Sequence, residues 1–216
     1  MPKELLRPRG RPRQFDVQQA LATAQRLFHA RGYDAVSVAD ITGAIGINTP
    51  SFYAAFGSKA ALYARVLARY AGDGAVPLAG LLRSDHPVAE CLAAVLEEAA
   101  RRYAANPSAT GCIALEGCRC NDQEAQAIAR AAQAASANLM REYIAARHPL
   151  VADRLTDYVS TTMFGLSAMA RFGLEPDRLV ATARIASLAL HALLHDSDAH
   201  RRPNRSKVAK NSTPPA

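Results

Sequence analysis

The chain has 216 residues, half of them hydrophobic, which suits one or two globular domains with a buried core. Its 26 Lys and Arg residues outnumber its 19 Asp and Glu residues, giving a formal net charge of +7. The basic N-terminus lacks a following apolar run and no segment approaches roughly 20 apolar residues, so we expect a cytoplasmic protein with no secretion signal and no membrane span.

The positive charge is concentrated at the two ends of the chain. Residues 1–70 hold ten Lys or Arg and four acidic residues, a net charge of +6, whereas residues 71–196 hold eleven and fourteen, a net charge of −3. Residues 197–216 hold five basic residues and one acidic residue, a net charge of +4. This distribution predicts an N-terminal module that binds a polyanion, joined to a body with another role.

An arginine-rich arm, residues 1–14, opens the chain with the stretch "RPRGRPR". Proline fixes its own φ and disfavours helix at the preceding residue, so the arm is expected to be extended. An extended positive ribbon fits a groove lined by phosphates, although a solvated tail is the general alternative for a run of charge. The arginines that could contact nucleic acid are Arg7, Arg9, Arg11 and Arg13.

Helical periodicity extends over nearly all of residues 16–196, and the sequence therefore predicts an all-α fold. Four short N-terminal helices are each preceded by a residue type that caps helices, namely Asp16, Ser37, Asn48 and Ser58. Longer or later helices are predicted at about 87–105, 111–118, 122–147, 151–172 and 177–195. The last twenty residues, 197–216, are polar and basic and are expected to be disordered.

The second and third predicted helices, joined by a turn at Gly46, have the arrangement of a helix-turn-helix. Phe52 and Phe56 would pack inward, so that the third helix could enter the major groove of DNA with its N-terminus first. Lys59 would lie beside the phosphate backbone, at the start of the next helix. A generic helical hairpin with solvated polar residues is the alternative. The other candidate DNA contacts are Ser37, Asn48, Thr49, Pro50, Ser51 and Tyr53.

Residues of about 10–70 resemble the DNA-binding domain of the tetracycline-repressor (TetR) family. The matching stretches are "ARGYDAVSV", "DITGAIGI" and "SFYAAFGSK", and many family members carry a basic residue where this chain has Thr49. The remainder resembles the family's helical effector and dimerisation domain more loosely. The resemblance implies a DNA-binding domain at 15–70, an effector-binding and dimerisation domain at 71–196, and a homodimer that leaves a near-palindromic operator when a small effector binds.

The arm also resembles an AT-hook, whose Arg-Gly-Arg-Pro core lies in the minor groove. A·T-rich minor grooves are narrow and strongly negative, which favours inserted arginines. We therefore expect Arg9 and Arg11 to enter the minor groove of A·T-rich flanks, and Arg7 and Arg13 to contact phosphates.

Apolar stripes on the last two long helices predict a two-fold interface, because they offer more apolar surface than one partner helix would cover. The residues assigned to this interface are Leu155, Val159, Leu166, Leu179, Ala183, Leu190 and Leu194.

Three cysteines, Cys112, Cys118 and Cys120, surround a short helix in the predicted effector domain. They could be small buried residues, a redox or electrophile sensor whose thiolate pKa is lowered by Arg119, or ligands of a soft metal. No cofactor and no metal site is predicted. The residues that could line an apolar effector cavity are Tyr70, Tyr103, Cys112, Cys118, Tyr143, Met163 and Phe164.

Catalytic motifs of hydrolases, P-loop proteins and zinc proteases are missing from the sequence, which argues against an enzyme. We therefore expect a homodimeric transcriptional regulator that represses by binding double-stranded DNA and responds to an unknown small molecule or oxidant. The alternative is an architectural protein that binds A·T-rich DNA without an effector.

Overall fold

The computed structural model describes residues 16–199, with side chains to residue 194, and its regular structure within that range is helical throughout. The all-α prediction is confirmed. The predicted DNA-contacting arm, with Arg7, Arg9, Arg11 and Arg13, lies outside the described residues, as do residues 200–216 of the predicted tail. The helices are α1 (Val17–Arg31), α2 (Val38–Ile45), α3 (Thr49–Phe56), α4 (Lys59–Asp73), α5 (Leu78–Leu81), α6 (Val88–Ala104), α7 (Ile113–Gly117), α8 (Gln123–Ala145), α9 (Ala152–Arg171) and α10 (Pro176–Ala199).

Local capping determines where the first helices begin and end. Asp16, Ser37, Asn48 and Ser58 each accept a hydrogen bond from a backbone N–H in the first turn of the helix that follows. Gly46 ends α2 in the left-handed conformation at φ 79°, which glycine adopts without a steric penalty. The sharp turn that follows sets α3 against α2, as a helix-turn-helix requires.

An aromatic cluster packs α1 against α4 beneath the helix-turn-helix. The Phe28 and Tyr63 rings meet edge to face with centroids 5.2 Å apart, and Tyr33 meets Tyr63 in the same way at 5.0 Å. All three side chains are buried. These ring contacts contribute to the packing of α1 against α4.

The body is built around α6, which packs against α9 and α10, while α8 packs against α9 and α4. The helix α4 continues past residue 70, where the sequence places the domain boundary, and ends at Asp73. The short helix α5 was not predicted. Within the described range, no helix is both long and apolar enough to cross a membrane.

The side chains assigned to the dimer interface lie in the core of the single chain, which corrects that prediction. None of them is more than 5% exposed, because they occupy the faces of α9 and α10 that are turned towards the rest of the chain. These residues are Leu155, Val159, Leu166, Leu179, Ala183, Leu190 and Leu194. Large apolar side chains do remain exposed at other positions of both helices, namely Phe164, Met169, Ile185, Leu188 and Leu193, and at Phe172 directly after α9.

Candidate nucleic-acid interface

The outer face of α3 is exposed from its first residue onward. Phe52 and Phe56 anchor the inner face, with exposures of 0% and 5%. The opposite face presents Thr49, Pro50, Ser51, Tyr53 and Ala54 to solvent. The structure therefore brings together four of the predicted DNA contacts at the N-terminal end of one helix, where a recognition helix enters the major groove.

Ser37 and Asn48, which are also candidate DNA contacts, are engaged in capping. Ser37 and Asp40 form a reciprocal capping box in which each side chain bonds to the other residue's backbone N–H. The hydrogen bonds from Ser37, together with Arg31, lower the pKa of Asp40 to about 2. Asn48 Oδ1 accepts from the Ser51 N–H at 2.8 Å. These side chains position the helices and keep only part of their hydrogen-bonding capacity for DNA.

Lys59 lies over an aromatic ring rather than extending from the surface. Its Nζ is 4.0 Å from the centroid of the Tyr33 ring, a cation–π contact. Burial lowers the pKa of Lys59, while the nearby carboxylates of Asp34 and Asp122 act in the opposite direction. Its ammonium therefore takes part in the contact between the helix-turn-helix and the body.

Four residues form the contact between the helix-turn-helix and the body, and we call them the junction cluster: Tyr33, Asp34, Asn121 and Asp122. The Tyr33 hydroxyl donates to Asp122 Oδ2 at 2.8 Å. The backbone N–H and side-chain amide of Asn121 donate to Asp34 Oδ2 at 3.0 and 3.1 Å. Burial and the adjacent Asp122 raise the pKa of Tyr33, so its hydroxyl remains a donor. The junction cluster joins the turn before α2 directly to the loop that leads into α8.

Two further contacts hold α1 and α4 to the segment around α7. The Tyr63 hydroxyl donates to the Ile113 carbonyl at 2.9 Å. His29 Nε2 lies 3.0 Å from the Gly111 carbonyl and donates to it, and Arg171 donates to the His29 carbonyl at 3.0 Å. Burial lowers the pKa of His29, so the ring is neutral near pH 7. A displacement of the α7 segment would therefore reach both α1 and α4.

The residues predicted to line one effector cavity occupy three separate places. Tyr70, Tyr103, Cys112 and Met163 are buried in the core. Tyr143 donates its hydroxyl to the Arg83 carbonyl at 2.9 Å and stacks with Arg147, away from that group. Cys118 and Phe164 line a surface groove instead. The seven side chains therefore do not line a single apolar cavity, which corrects that prediction.

The groove between α8 and α9 has a volume of about 450 Å³. Its walls combine apolar and polar groups, since Cys118 and Phe164 lie with Arg130 and Asp157. Thr156 and Ser160 also line it, although their hydroxyl oxygens are shielded from solvent and have no hydrogen-bond partner among the described residues.

The three clustered cysteines are free thiols in different surroundings. Cys112 is buried beside Ser167, whose hydroxyl accepts from the Cys112 N–H at 2.9 Å. Cys118 is half-buried, and burial raises its pKa; burial and Asp34 raise that of Cys120. Arg119 does not activate them, because its side chain is 74% exposed and pairs with Glu116 at 3.3 Å. Both thiols therefore stay protonated near pH 7.

The family model for bacterial regulatory proteins of the tetR family matches residues 20–66, which include the whole helix-turn-helix. The chain is also 50% identical over 194 residues to the HTH-type transcriptional repressor BdcR of Escherichia coli (strain K12), covering 90% of this chain and 98% of that protein. The chain belongs to the TetR family. This TetR-family protein is therefore a DNA-binding transcriptional repressor with a helix-turn-helix, and not an enzyme.

Two further relatives extend the comparison. The HTH-type transcriptional repressor ComR of Escherichia coli (strain K12) is 28% identical over 186 residues, covering 81% of this chain and 89% of that protein. A cysteine mutant of the TetR family transcriptional regulator CifR, complexed with a 26-base-pair double-strand operator DNA, is 31% identical. It superimposes with a TM-score of 0.74 over 83% of this chain and 99% of that chain.

Proposed function

We propose that this TetR-family protein is a homodimer that binds a near-palindromic operator through α3 and releases it when a small effector binds the body. The exposed N-terminal half of α3, anchored by the buried Phe52 and Phe56, is the observation that carries the proposal. The similarity to CifR, which was solved on operator DNA, supports it. Two such helices about one DNA turn apart, roughly 34–36 Å, read two half-sites.

The homodimer is proposed to form through the outward faces of α9 and α10. Phe172 is 84% exposed, Ile185 69% and Leu188 68%, and Phe164 and Met169 are also exposed on α9. Four large apolar side chains on two neighbouring helices, and a fifth directly after α9, exceed the scattered exposure that is normal for a monomer surface. A second copy of the same two helices would cover them in a self-complementary way.

The effector is proposed to bind the groove between α8 and α9. Cys118 lies at one wall of this groove and is separated by only two residues from Asn121, which hydrogen-bonds to Asp34 in the junction cluster. An occupant that displaces residues 118–122 would therefore alter the position of the turn before α2. An apolar molecule with one polar group suits the walls. Oxidation of the thiols is the alternative, supported by the partial exposure of Cys118.

The two kinds of effector can be separated by titrating operator DNA with the protein reduced, oxidised by a mild thiol oxidant, and reduced again. Reversible loss of binding that disappears in Cys118→Ser, but persists in the control Cys91→Ser, would assign sensing to the thiol. Because both Cys118 and Cys120 have raised pKa values, we expect the oxidised protein to keep its DNA affinity. The groove would then take a non-oxidant ligand.

Deleting residues 1–13 is expected to weaken binding and to flatten its dependence on salt. The arm carries four arginines, and each phosphate contact that is lost removes about 0.9 from the slope of log K against log salt concentration. Titrations of one operator at several salt concentrations, with the full chain and the truncated chain, measure the change. An unchanged slope would show that the arm does not contact phosphate.

Selection from a pool of randomised duplexes tests the function as a whole. The full chain is expected to enrich two half-sites related by a two-fold axis, at a fixed spacing. Enrichment of A·T-rich sequence without symmetry or fixed spacing would instead support the architectural alternative. The selected duplex then serves as the operator in the experiments that follow.

A further inference from the structure

The helix-turn-helix has an unusual charge for a surface that approaches DNA. Residues 32–58 contain no Lys or Arg and two acidic residues, Asp34 and Asp40. Both carboxylates are already bound: Asp34 accepts from Asn121, and Asp40 accepts from Ser37 and from Arg31 at 3.2 Å. The groups that could meet base edges are therefore uncharged.

The side chains that usually identify three of the four bases are either missing from this surface or, in the case of adenine, engaged in a helix cap. Guanine is read by Arg or Lys, and cytosine by Asp or Glu, neither of which is available on the exposed face of α3. Adenine is read by an amide that both donates and accepts. Asn48 is the one amide side chain in residues 32–58, and its Oδ1 already accepts from the Ser51 N–H at 2.8 Å.

The side chains on the outer face of α3 therefore offer carbon atoms and hydroxyl groups. Thr49, Pro50, Tyr53 and Ala54 are exposed there, and each presents a methyl, methylene or ring carbon to a groove that receives the helix. The base feature that such groups recognise in the major groove is the C5-methyl of thymine. We propose that α3 identifies its half-sites mainly by apolar contact with thymine methyl groups, with Thr49 and Pro50 as the specificity-determining residues.

This inference rests on the proposed operator binding and assigns the chemistry that the operator must offer. Replacing thymine by uracil removes only the C5-methyl and leaves every donor and acceptor of the pair in both grooves. Burying one methyl carbon makes the free energy of binding more favourable. Each contacted thymine methyl is therefore expected to change the affinity about fourfold. Several methyl groups in two half-sites multiply this effect.

The test is a comparison of three forms of the selected operator with the full chain. The first contains thymine throughout, the second uracil in the half-sites, and the third uracil only in the flanks. The expected result is specific binding to the first and third, and a loss of at least about tenfold with the second, as two or more methyl contacts would give. The flanking arm would not respond, because the minor groove offers the same O2 acceptor in uracil and thymine.

Two variants of Thr49 test whether α3 is responsible for the preference for thymine over uracil. Thr49→Val keeps a methyl group and removes the hydroxyl, whereas Thr49→Ser keeps the hydroxyl and removes the methyl. Both leave the Asn48 cap of α3 in place. Thr49→Val is expected to keep the preference for thymine over uracil at half-sites. Thr49→Ser is expected to reduce it about fifteenfold, since it removes one methyl contact, worth about fourfold, in each of the two half-sites.

The outcomes separate this inference from the function on which it rests. If the thymine operator is not bound more tightly than unrelated DNA, the proposed function fails and the inference falls with it. If the thymine operator is bound specifically and uracil in the half-sites makes no difference, the methyl contacts are overturned while the repressor function stands. Equal preference for thymine in Thr49→Ser and the parent protein would overturn the role of Thr49.

Discussion

The double variant Ile185→Glu, Leu188→Glu is expected to be a monomer that binds the operator at least about 100-fold more weakly than the parent protein. These two side chains are 69% and 68% exposed, and in the proposed dimer they would be buried against a second copy. Burying unpaired carboxylates is unfavourable, so the interface should separate. A monomer also loses the second half-site, and linking two sites is worth about 10²–10⁴ in affinity. Sedimentation and DNA titration measure both effects.

The matched control for this variant is Leu150→Glu. Leu150 is 89% exposed in the short 3-10 helix between α8 and α9, so the same change in charge should leave the dimer and its DNA affinity intact. A double variant that remains dimeric and binds normally would contradict the assignment of the outward faces of α9 and α10. Leu155→Ala provides a contrast, since this residue is 1% exposed and its truncation should lower the free energy of unfolding by about 2–5 kcal/mol.

Gly117→Ala is expected to lower the free energy of unfolding by about 1–3 kcal/mol, because α7 approaches α4 and α8 too closely for a side chain. A Cβ at Gly117 would lie against the Tyr63 hydroxyl and 2.9 Å from Ala129 Cβ. Relief of the clash would displace Tyr63, whose hydroxyl donates to the Ile113 carbonyl and joins α4 to the α7 segment. Equilibrium unfolding in urea measures the loss.

A glycine with open surroundings supplies the control for this second variant. At Gly72, near the end of α4, an added Cβ would meet no atom within 4 Å. Gly72→Ala is therefore expected to be neutral or to stabilise by up to about 1 kcal/mol. In the Gly117→Ala background, Tyr63→Phe should recover part of the loss by removing the hydroxyl. Unchanged stability in Gly117→Ala would show that the close approach is not a constraint.

Local chemistry explains why the sequence predicts the N-terminal helices well. A side-chain cap and a left-handed glycine act within one turn, so Ser37, Gly46 and Asn48 mark the ends of α2 and α3 in the sequence itself. The outward face of α3 follows from the same local period, since Phe52 and Phe56 lie one turn apart and both are buried. Periodicity therefore locates the candidate recognition surface.

Long-range packing leaves no local signal in the sequence. An apolar stripe shows that one face of α9 or α10 is covered, but it does not show whether α6 or a second copy covers it. Leu155 and Leu190 were therefore assigned to the wrong neighbour. The junction cluster has no sequence signal, since the hydrogen-bonded pair Tyr33 and Asp122 is 89 residues apart in the chain. The sequence likewise gives no signal that Tyr143 lies apart from the other predicted pocket residues in the fold.

In the proposed complex, two α3 helices of one homodimer read two half-sites of an operator. A hydroxyl-radical footprint of the full chain on the selected duplex tests this most directly, because it shows each protected backbone position. We expect a bounded pattern with two-fold symmetry, whose two protected major-groove faces are about one DNA turn apart. Protection that extends with protein concentration along any A·T-rich duplex, without symmetry or fixed ends, would contradict it.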